Sequence, residues 1–304
     1  QHDANHGACS KRPWINATLG LFADLIGGSR WLWMEQHWTH HSYTNDEDKD
    51  PDGKGAEPYM LFNDYTLNHP RRQWIHRFQA LYYMIVLAGY WLSSVFNPEV
   101  LDLRQRGALG VGMKMDSPYV VNNRKYAIGL RLLYIYLNVI SPFRVATESG
   151  NSFWTTFGHI MLMGASSSLS LAVLFSLSHN FVGAERDPTK RHDKEKDKQE
   201  DDEEPVCWYK SQVETSCTYG GRISGYVTGG LNFQVEHHLF PRMSSSWYPY
   251  IAPTVREICK KHGVQYVYFP WVWQNWISTM QYLHAAGTGI NWAKPPENPY
   301  RGNL

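Results

Sequence analysis

Three clusters of histidine have the spacing that metal ligands need. They read HDANH at residues 2–6, HWTHH at residues 37–41 and QVEHH at residues 234–238. Residues three and four positions apart share one face of a helix, so the imidazoles of each cluster can point to a common centre. Neutral imidazole is the commonest metal ligand in proteins. The spacing therefore predicts a His-rich metal site built from His2, His6, His37, His40, His41, His237 and His238.

The donor set narrows the kind of metal site. A zinc protease would carry an HExxH motif, and a soluble di-iron bundle would use Glu ligands; the clusters match neither. Seven of the chain's 14 histidines lie in the clusters, more than the four ligands of a structural zinc. Two ions with open positions are therefore favoured. Imidazole suits iron, copper, nickel and zinc, so the donors alone leave the metal open.

Polar residues beside these clusters are candidates for supporting roles. Asp3 and Glu236 lie next to ligand positions, where a carboxylate can hold the second nitrogen of a bound imidazole. Simple solvent exposure is the alternative for both. Gln234 lies where a third histidine would complete the last cluster, and its amide could bind metal, hold a water or contact substrate. His179 lies at the end of an apolar run, where a lone histidine is usually a polar cap or interface residue, and a metal ligand is the alternative.

The remaining histidines are predicted to have other roles. His159 lies within an apolar run, where a hydrogen bond between helices is the favoured interpretation. His192 lies in a charged loop and is predicted to be a surface residue. The other histidines have no second histidine at ligand spacing. They are predicted to lie at the surface or at an interface: His69, His76, His262 and His284.

Two long uncharged runs predict membrane-spanning helices. Phe78–Phe96 and Ser149–Ala184 are each long enough to cross a hydrocarbon core of about 30 Å. Arginines 71, 72 and 77 precede the first run and place that end on the cytosolic side. Because all three clusters must meet at one centre, an even number of crossings must separate the second cluster from the third. Tyr126–Phe143 is therefore expected to be interfacial or re-entrant, and Trp14–Ile26 to lie on the membrane.

Composition limits the remaining possibilities. A net charge of +1 gives no support for nucleic-acid binding, and the four cysteines form no disulfide framework. Residues 185–204 carry charge at 16 of 20 positions, which predicts a solvated, disordered loop. The first histidine cluster begins at residue 2 without a preceding element, so we expect the chain to be truncated at its N-terminus.

The clusters, together with the run GGLNFQVEHHLFP at residues 229–241, resemble the membrane fatty-acid desaturase family. The glutamine of the third cluster is similar to that of the front-end branch, which inserts a double bond between an existing one and the carboxyl end. Stretches such as FNDYTLNHPRR and QVETSCTYGG look most like the delta-5 desaturases of diatoms. The resemblance covers nearly the whole chain, so residues 1–304 are interpreted as one desaturase domain.

The resemblance implies an all-α fold: an integral membrane helical bundle with a cytosolic helical cap that holds a His-rich di-metal site. It implies two iron ions held by the seven clustered histidines and by His179, with O2 as co-substrate. It also implies an acyl-CoA or phospholipid acyl chain as substrate, the endoplasmic reticulum membrane as location and His clusters on its cytosolic side. Electrons would come from cytochrome b5 and NADH-cytochrome b5 reductase. Haem would belong only to a cytochrome b5 domain, which we expect to be missing together with the first two spans.

Several alternatives stay open at this point. The resemblance favours delta-5 chemistry on C20 polyunsaturated chains, such as dihomo-gamma-linolenoyl to arachidonoyl. Delta-4, delta-6, delta-8 and sphingolipid desaturases use similar clusters, and a membrane hydroxylase could use the same oxidant. A His-rich metal transporter or sensor is the non-enzymatic alternative, although it would require polar residues through its spans, and Phe78–Phe96 has no charged residue.

Overall fold

The computed structural model describes residues 1–96, 117–186 and 207–290, and its architecture is mainly helical. Fourteen α-helices and two strands are described in these ranges: α1 His2–Asn5, α2 Pro13–Gly20, α3 Phe22–Leu25, α4 Arg30–Ser42, α5 Gln79–Ala88, α6 Tyr90–Phe96, α7 Pro118–Ile135, α8 Ser141–Glu148, α9 Phe153–His179, α10 Trp208–Glu214, β1 Cys217–Tyr219, α11 Gly221–Thr228, α12 Gln234–Leu239, α13 Tyr248–Lys261, β2 Val267–Phe269 and α14 Val272–Thr288. Short 3-10 turns lie at Trp74–Phe78 and Ser245–Trp247. The predicted all-α class is confirmed.

The chain forms two compact units. The first contains residues 1–38, 55–59 and 82–173, and the second contains residues 39–54, 60–81 and 174–304. Helices α4 and α9 each contribute residues to both units. The first histidine cluster lies in the first unit and the third lies in the second unit, whereas the second cluster is divided between them.

Within the part of the chain that the structure describes, two helices are long and apolar enough to cross a membrane. Helix α9 has 27 residues, which corresponds to about 40 Å at 1.5 Å per residue. The other candidate runs from Pro118 to Glu148 over 31 residues, with a π-helical turn at Tyr136–Ile140 joining α7 to α8. The predicted span in the 149–184 region is thus confirmed by length and composition.

Tyr126–Phe143 belongs to the second of these helices, which is long and apolar enough to cross a membrane, so its interfacial or re-entrant placement stays a prediction. Arg131, which interrupts the apolar pattern, is buried. Its guanidinium donates to the carbonyl oxygen of Gly28 at 2.9 Å and to that of Ser94. Because protein carbonyls solvate this charge, Arg131 does not end the helix.

The segment Phe78–Phe96 is bent rather than straight. The helices Trp74–Ala88 and Tyr90–Phe96 meet at an angle of 43°, so the segment is either a broken span or a re-entrant loop. Gly89 lies at the break, and the backbone N–H of Trp91 donates to Ser168 Oγ at 2.6 Å. A glycine together with an N–H bonded outside the helical ladder accounts for the bend.

Trp14–Ile26 folds into the two short helices α2 and α3, neither of which is long enough to cross a membrane. Its position on the membrane surface stays a prediction. The charged segment 185–204 lies outside the described residues except for Glu185 and Arg186, and His192 lies outside them too. Arg186 is not part of a solvated loop, because its guanidinium donates to the carbonyl oxygen of His179 at 2.6 Å.

In the first unit, tight packing surrounds Trp91. Its indole N–H donates to the hydroxyl of Tyr134 at 2.8 Å, and Val95 and Ile160 complete this buried cluster. A Cβ at Gly164 would lie 2.3 Å from the indole ring, so α9 needs glycine at this position.

In the second unit, a parallel strand pair anchors the helix that carries the third histidine cluster. Strands β1 and β2 pair with Thr218 opposite Tyr268, and Thr218 also bridges to Phe233 just before α12. Val235 of α12 is fully buried in an apolar cluster with Val213, Val255, Cys259, Tyr266 and Tyr268. Helix α12 is therefore fixed by a backbone bridge just before its start and by the packing of its apolar face.

Candidate metal centre

The first unit brings together three imidazoles from α1, its C-terminal end and α4. The ring centroid of His2 lies 4.8 Å from that of His6 and 5.3 Å from that of His37. The centroids of His6 and His37 are 4.9 Å apart. We name His2, His6 and His37 the first imidazole cluster. Each offers a ring nitrogen within 4.8 Å of the others, so the cluster could hold a metal ion.

Asn5 fixes the short helix that carries the first two of these imidazoles. Its side-chain amide donates to the carbonyl oxygen of Gly20 at 3.3 Å, and its oxygen accepts from Arg30 Nε at 3.0 Å. A four-residue helix has little stability of its own. The buried amide of Asn5 therefore ties α1 to α2 and to the start of α4.

Aromatic rings surround the first imidazole cluster. Trp33 stacks on His37 at 4.3 Å between centroids, and Trp38 meets His6 edge-on at 5.0 Å. Burial, with a smaller contribution from His2, lowers the pKa of His6 to about 2. The ring of His6 is therefore neutral at physiological pH, which is the form that binds metal.

The second unit brings together five imidazoles, all buried. The Nε2 atoms of His40 and His179 are 3.3 Å apart, and those of His41 and His237 are 3.0 Å apart. The ring centroid of His238 lies 4.8 Å from that of His179 and 5.1 Å from that of His40. We name this set the second imidazole cluster: His40, His41, His179, His237 and His238.

Four of these rings have their Nδ1 atoms hydrogen-bonded to oxygen atoms. The bonds are 3.0 Å from His40 to Asp50, 3.0 Å from His179 to the carbonyl oxygen of Thr215, 3.2 Å from His237 to the hydroxyl of Tyr248, and 2.8 Å from His238 to Gln212 Oε1. Carboxylate, carbonyl and amide oxygens only accept hydrogen bonds. The phenolic proton of Tyr248 can go to the carbonyl oxygen of Met243 at 3.0 Å, which leaves its oxygen to accept. In the neutral form of each of these rings, Nδ1 therefore carries the proton and Nε2 keeps its lone pair, the form that binds metal.

This arrangement fits a metal ion. Imidazole nitrogens bound at about 2.1 Å and at right angles to each other lie about 3.0 Å apart, close to the observed Nε2 separations. Two imidazole nitrogens this close need either a shared proton or a metal ion between them. Among the described residues, the buried His238 Nε2 and Gln234 Oε1 have no hydrogen-bond partner, although buried polar atoms normally have one.

Carboxylates close to the second imidazole cluster favour a cation there. Burial lowers the pKa of His40, but the carboxylates of Asp50 and Asp52 outweigh it and raise this pKa to about 9. Burial lowers the pKa of His238 well below its usual value, and the other imidazoles lower it further. Positive charge is therefore stabilised beside Asp50, and metal binding at His40 must displace a proton.

The residues predicted beside the clusters have different surroundings. Asp3 Oδ1 lies 3.4 Å from His2 Nδ1, and its supporting role stays a prediction. Glu236 is fully buried, but its two oxygens accept from Thr218 Oγ1 at 2.8 Å and from the Tyr266 hydroxyl at 2.7 Å. Glu236 thus fixes α12 to the strand pair rather than holding an imidazole, and the solvent-exposed alternative does not apply. The amide nitrogen of Gln234 lies 3.2 Å from His179 Nε2, which places Gln234 within the second cluster.

The described histidines that the sequence analysis assigned to other roles lie outside both clusters. His159 is exposed on α9, and His262 is exposed after α13. His69 stacks on Tyr65 at 4.1 Å, and His284 is half-buried on α14. His76 differs from the expectation of a surface residue: it is fully buried, and its Nδ1 accepts from the backbone N–H of Gln73 at 3.0 Å.

The sequence did not reveal the residues that accept hydrogen bonds from the Nδ1 atoms of the second imidazole cluster. Asp50, Gln212 and Tyr248 are distant in sequence from the imidazoles they contact, by 10, 26 and 11 positions. The acidic run at residues 46–52 directly after the second histidine motif was an available signal for Asp50. No comparable sequence pattern marks Gln212.

Membrane-capable helices and buried clusters of imidazole define a helical membrane protein with a His-rich metal site. The family model for fatty acid desaturase matches residues 1–270, and the chain belongs to that family. It is 32% identical over 295 residues to the acyl-lipid (7-3)-desaturase of Rebecca salina, covering 94% of this chain and 60% of the relative. It is 27% identical over 303 residues to the Delta(5) fatty acid desaturase A of Dictyostelium discoideum, covering 97% and 61%.

A third relative is the acyl-lipid (8-3)-desaturase of Physcomitrium patens, which is 32% identical over 277 residues, covering 90% of this chain and 54% of the relative. The chain thus spans about 60% of the length of several of the curated relatives it matches. No solved structure matches it significantly.

Proposed function

We propose that this chain is the oxidising part of a front-end acyl-lipid desaturase. The reaction would remove one hydrogen from each of two adjacent carbons of an acyl chain and reduce O2 to two waters, using two further electrons and two protons. The observation that carries the proposal is the convergence of Nε2 atoms at the second imidazole cluster, while Nδ1 is hydrogen-bonded to an oxygen atom in four of its five rings. The family and the names of the relatives support the substrate class.

We propose iron as the metal and the two imidazole clusters as its ligands. His2, His6 and His37 would hold one ion. The second would take its ligands from His40, His41, His179, His237 and His238, with Gln234 in contact with the metal or its water. With O2, the iron pair would supply an oxidant strong enough to attack an unactivated methylene.

The protein's contribution is position and exclusion of water. Burial keeps the His6 and His238 rings neutral and keeps bulk water from the inner nitrogens. The hydrogen bonds of the Nδ1 atoms fix the direction in which each ring presents Nε2. Because the methylenes of an acyl chain are chemically alike, the choice among them must come from how far the chain extends past the fixed imidazoles.

The position of the new double bond is proposed as delta-5 on C20 polyunsaturated chains. The Dictyostelium relative is named a Delta(5) desaturase, while other relatives are named (7-3), (8-3) or 6-desaturases. These names favour a front-end enzyme and leave neighbouring positions as outcomes of the test. The proposed electron donors are cytochrome b5 and its NADH-dependent reductase, and the proposed location is the endoplasmic reticulum with the clusters facing the cytosol.

The test is expression of the full-length protein in yeast fed one C20 polyunsaturated acid at a time. Wild type should introduce one new double bond nearer the carboxyl end, which mass spectrometry of the products locates. His40→Ala should abolish it, while His159→Ala, an exposed histidine of α9, should not. Normal product from His40→Ala would refute the ligand assignment. Hydroxylated product, or no oxidation by folded wild type, would refute desaturation.

A further inference from the structure

Gln212 lies where it can control one of the proposed ligands from outside the metal site. It is a buried residue of α10, which carries none of the clustered histidines. Its Oε1 lies 2.8 Å from His238 Nδ1, a short hydrogen bond for an N–H donor. Thr44 Oγ1 lies 3.3 Å from the same Nδ1.

The direction of these hydrogen bonds follows from which atoms carry a proton. The hydroxyl proton of Thr44 goes to the carbonyl oxygen of His40 at 2.8 Å, so its oxygen is left to accept. An amide oxygen only accepts. Two acceptors therefore face His238 Nδ1, which must carry the proton. In a neutral imidazole, the lone pair then lies on Nε2, the buried atom that has no hydrogen-bond partner among the described residues.

We propose that Gln212 is a positioning residue: its amide oxygen holds His238 in the tautomer and ring orientation that present Nε2 to the metal. The proposal rests on the proposed function, because it needs an ion at the second imidazole cluster. In this proposal, a neutral residue of α10 holds the second nitrogen of a ligand imidazole. The sequence spacing had predicted this role for Glu236. A purely structural role for Gln212 would affect folding and leave metal affinity unchanged.

The test compares three variants of the full-length protein purified in detergent. Gln212→Met keeps the length and apolar stem of the side chain but removes the acceptor, and Gln212→Glu keeps an acceptor. Gln274→Met is the matched control, because Gln274 Oε1 also accepts a hydrogen bond, from the backbone N–H of Trp271 at 3.1 Å. Affinity for iron(II) is measured anaerobically by titration against a chelator, with circular dichroism and gel filtration to verify folding.

Loss of an outer hydrogen-bond partner typically weakens metal affinity by about 10–100-fold. We expect a loss of this size for Gln212→Met, recovery to within a few-fold of wild type for Gln212→Glu, and no change for Gln274→Met. Wild-type affinity in Gln212→Met would overturn the proposal, and so would equal losses in Gln212→Met and Gln212→Glu. If Gln212→Met does not fold, the Gln212→Glu result decides, since a large loss there contradicts the role of the acceptor.

The design separates this proposal from the proposed function. A wild type that binds iron but forms no double bond would refute desaturation, while the affinities would still decide the role of Gln212. A wild type that desaturates while Gln212→Met keeps full affinity would refute only the role of Gln212. A folded wild type that binds no iron would overturn both.

Discussion

The two nitrogens of an imidazole have separate roles in the second imidazole cluster. Nδ1 bonds outward to oxygen acceptors in four of its rings, and the Nε2 atoms of two pairs lie 3.0 and 3.3 Å apart. The acceptors belong to a carboxylate, a backbone carbonyl, a phenol and an amide. Chemically different residues thus favour the same tautomer in the neutral, metal-binding form of these rings.

Asp50 is the charged member of this outer set, and its loss should weaken metal binding. Both of its oxygens lie 3.0 Å from His40 Nδ1, and they also accept from the backbone N–H groups of Asn45 and Asp52. Hydrogen bonds to a charged acceptor are roughly twice as strong as neutral ones. We expect Asp50→Asn to lower iron affinity by about 10-fold or more, measured by the same chelator titration.

The matched control for Asp50 is Asp48→Asn. Asp48 is an exposed carboxylate of the same acidic run, 3.9 Å from Lys54 Nζ. It should leave iron affinity unchanged. Equal affinities in Asp50→Asn and wild type would show that the carboxylate does not orient His40.

Secondary structure sets which imidazoles can converge. The spacing within each histidine motif is local and correctly predicted the helices that carry them, including α4 and α12. The sequence could not predict the bend at Gly89, because it depends on the bond from Trp91 N–H to Ser168, 77 residues away. Nor could it predict the continuous helix through Arg131, whose charge is solvated by carbonyls of other segments.

The contact between α1 and α2 can be tested by a substitution at Gly20. A Cβ at Gly20 would lie 2.0 Å from Asn5 Oδ1, so Gly20→Ala must displace the amide that fixes α1. Overpacking of this kind costs about 1–3 kcal/mol. We expect Gly20→Ala to lower the free energy of unfolding by that amount and to reduce bound iron, as measured by denaturant unfolding and elemental analysis.

Gly129→Ala is the control for this change. Gly129 lies within α7, and a Cβ there would have no neighbour within 4 Å. Alanine in a helix interior is favoured over glycine by about 0.8–1.0 kcal/mol, so this variant should be at least as stable as wild type. If both variants unfold as wild type does, Asn5 is not the residue that holds α1.

For the whole molecule, the sequence predicted the class of protein better than its internal contacts. The uncharged run near α9 and the three histidine motifs were sufficient for a helical membrane protein with a His-rich site, and family membership agrees. The contacts of Asp50, Gln212 and Glu236 depend on which elements pack together, which residue spacing does not encode. In the proposed function, the exact position of the new double bond would depend in the same way on the path of the acyl chain.

Metal analysis of the purified full-length protein tests the central claim most directly. Elemental analysis gives the metal content per chain, and X-ray absorption identifies the atoms bound to it. We predict two irons per chain with mainly nitrogen neighbours, and loss of iron in folded His238→Ala. Zinc alone, or no metal in a folded wild-type protein, would contradict the assignment of the two imidazole clusters as an iron site.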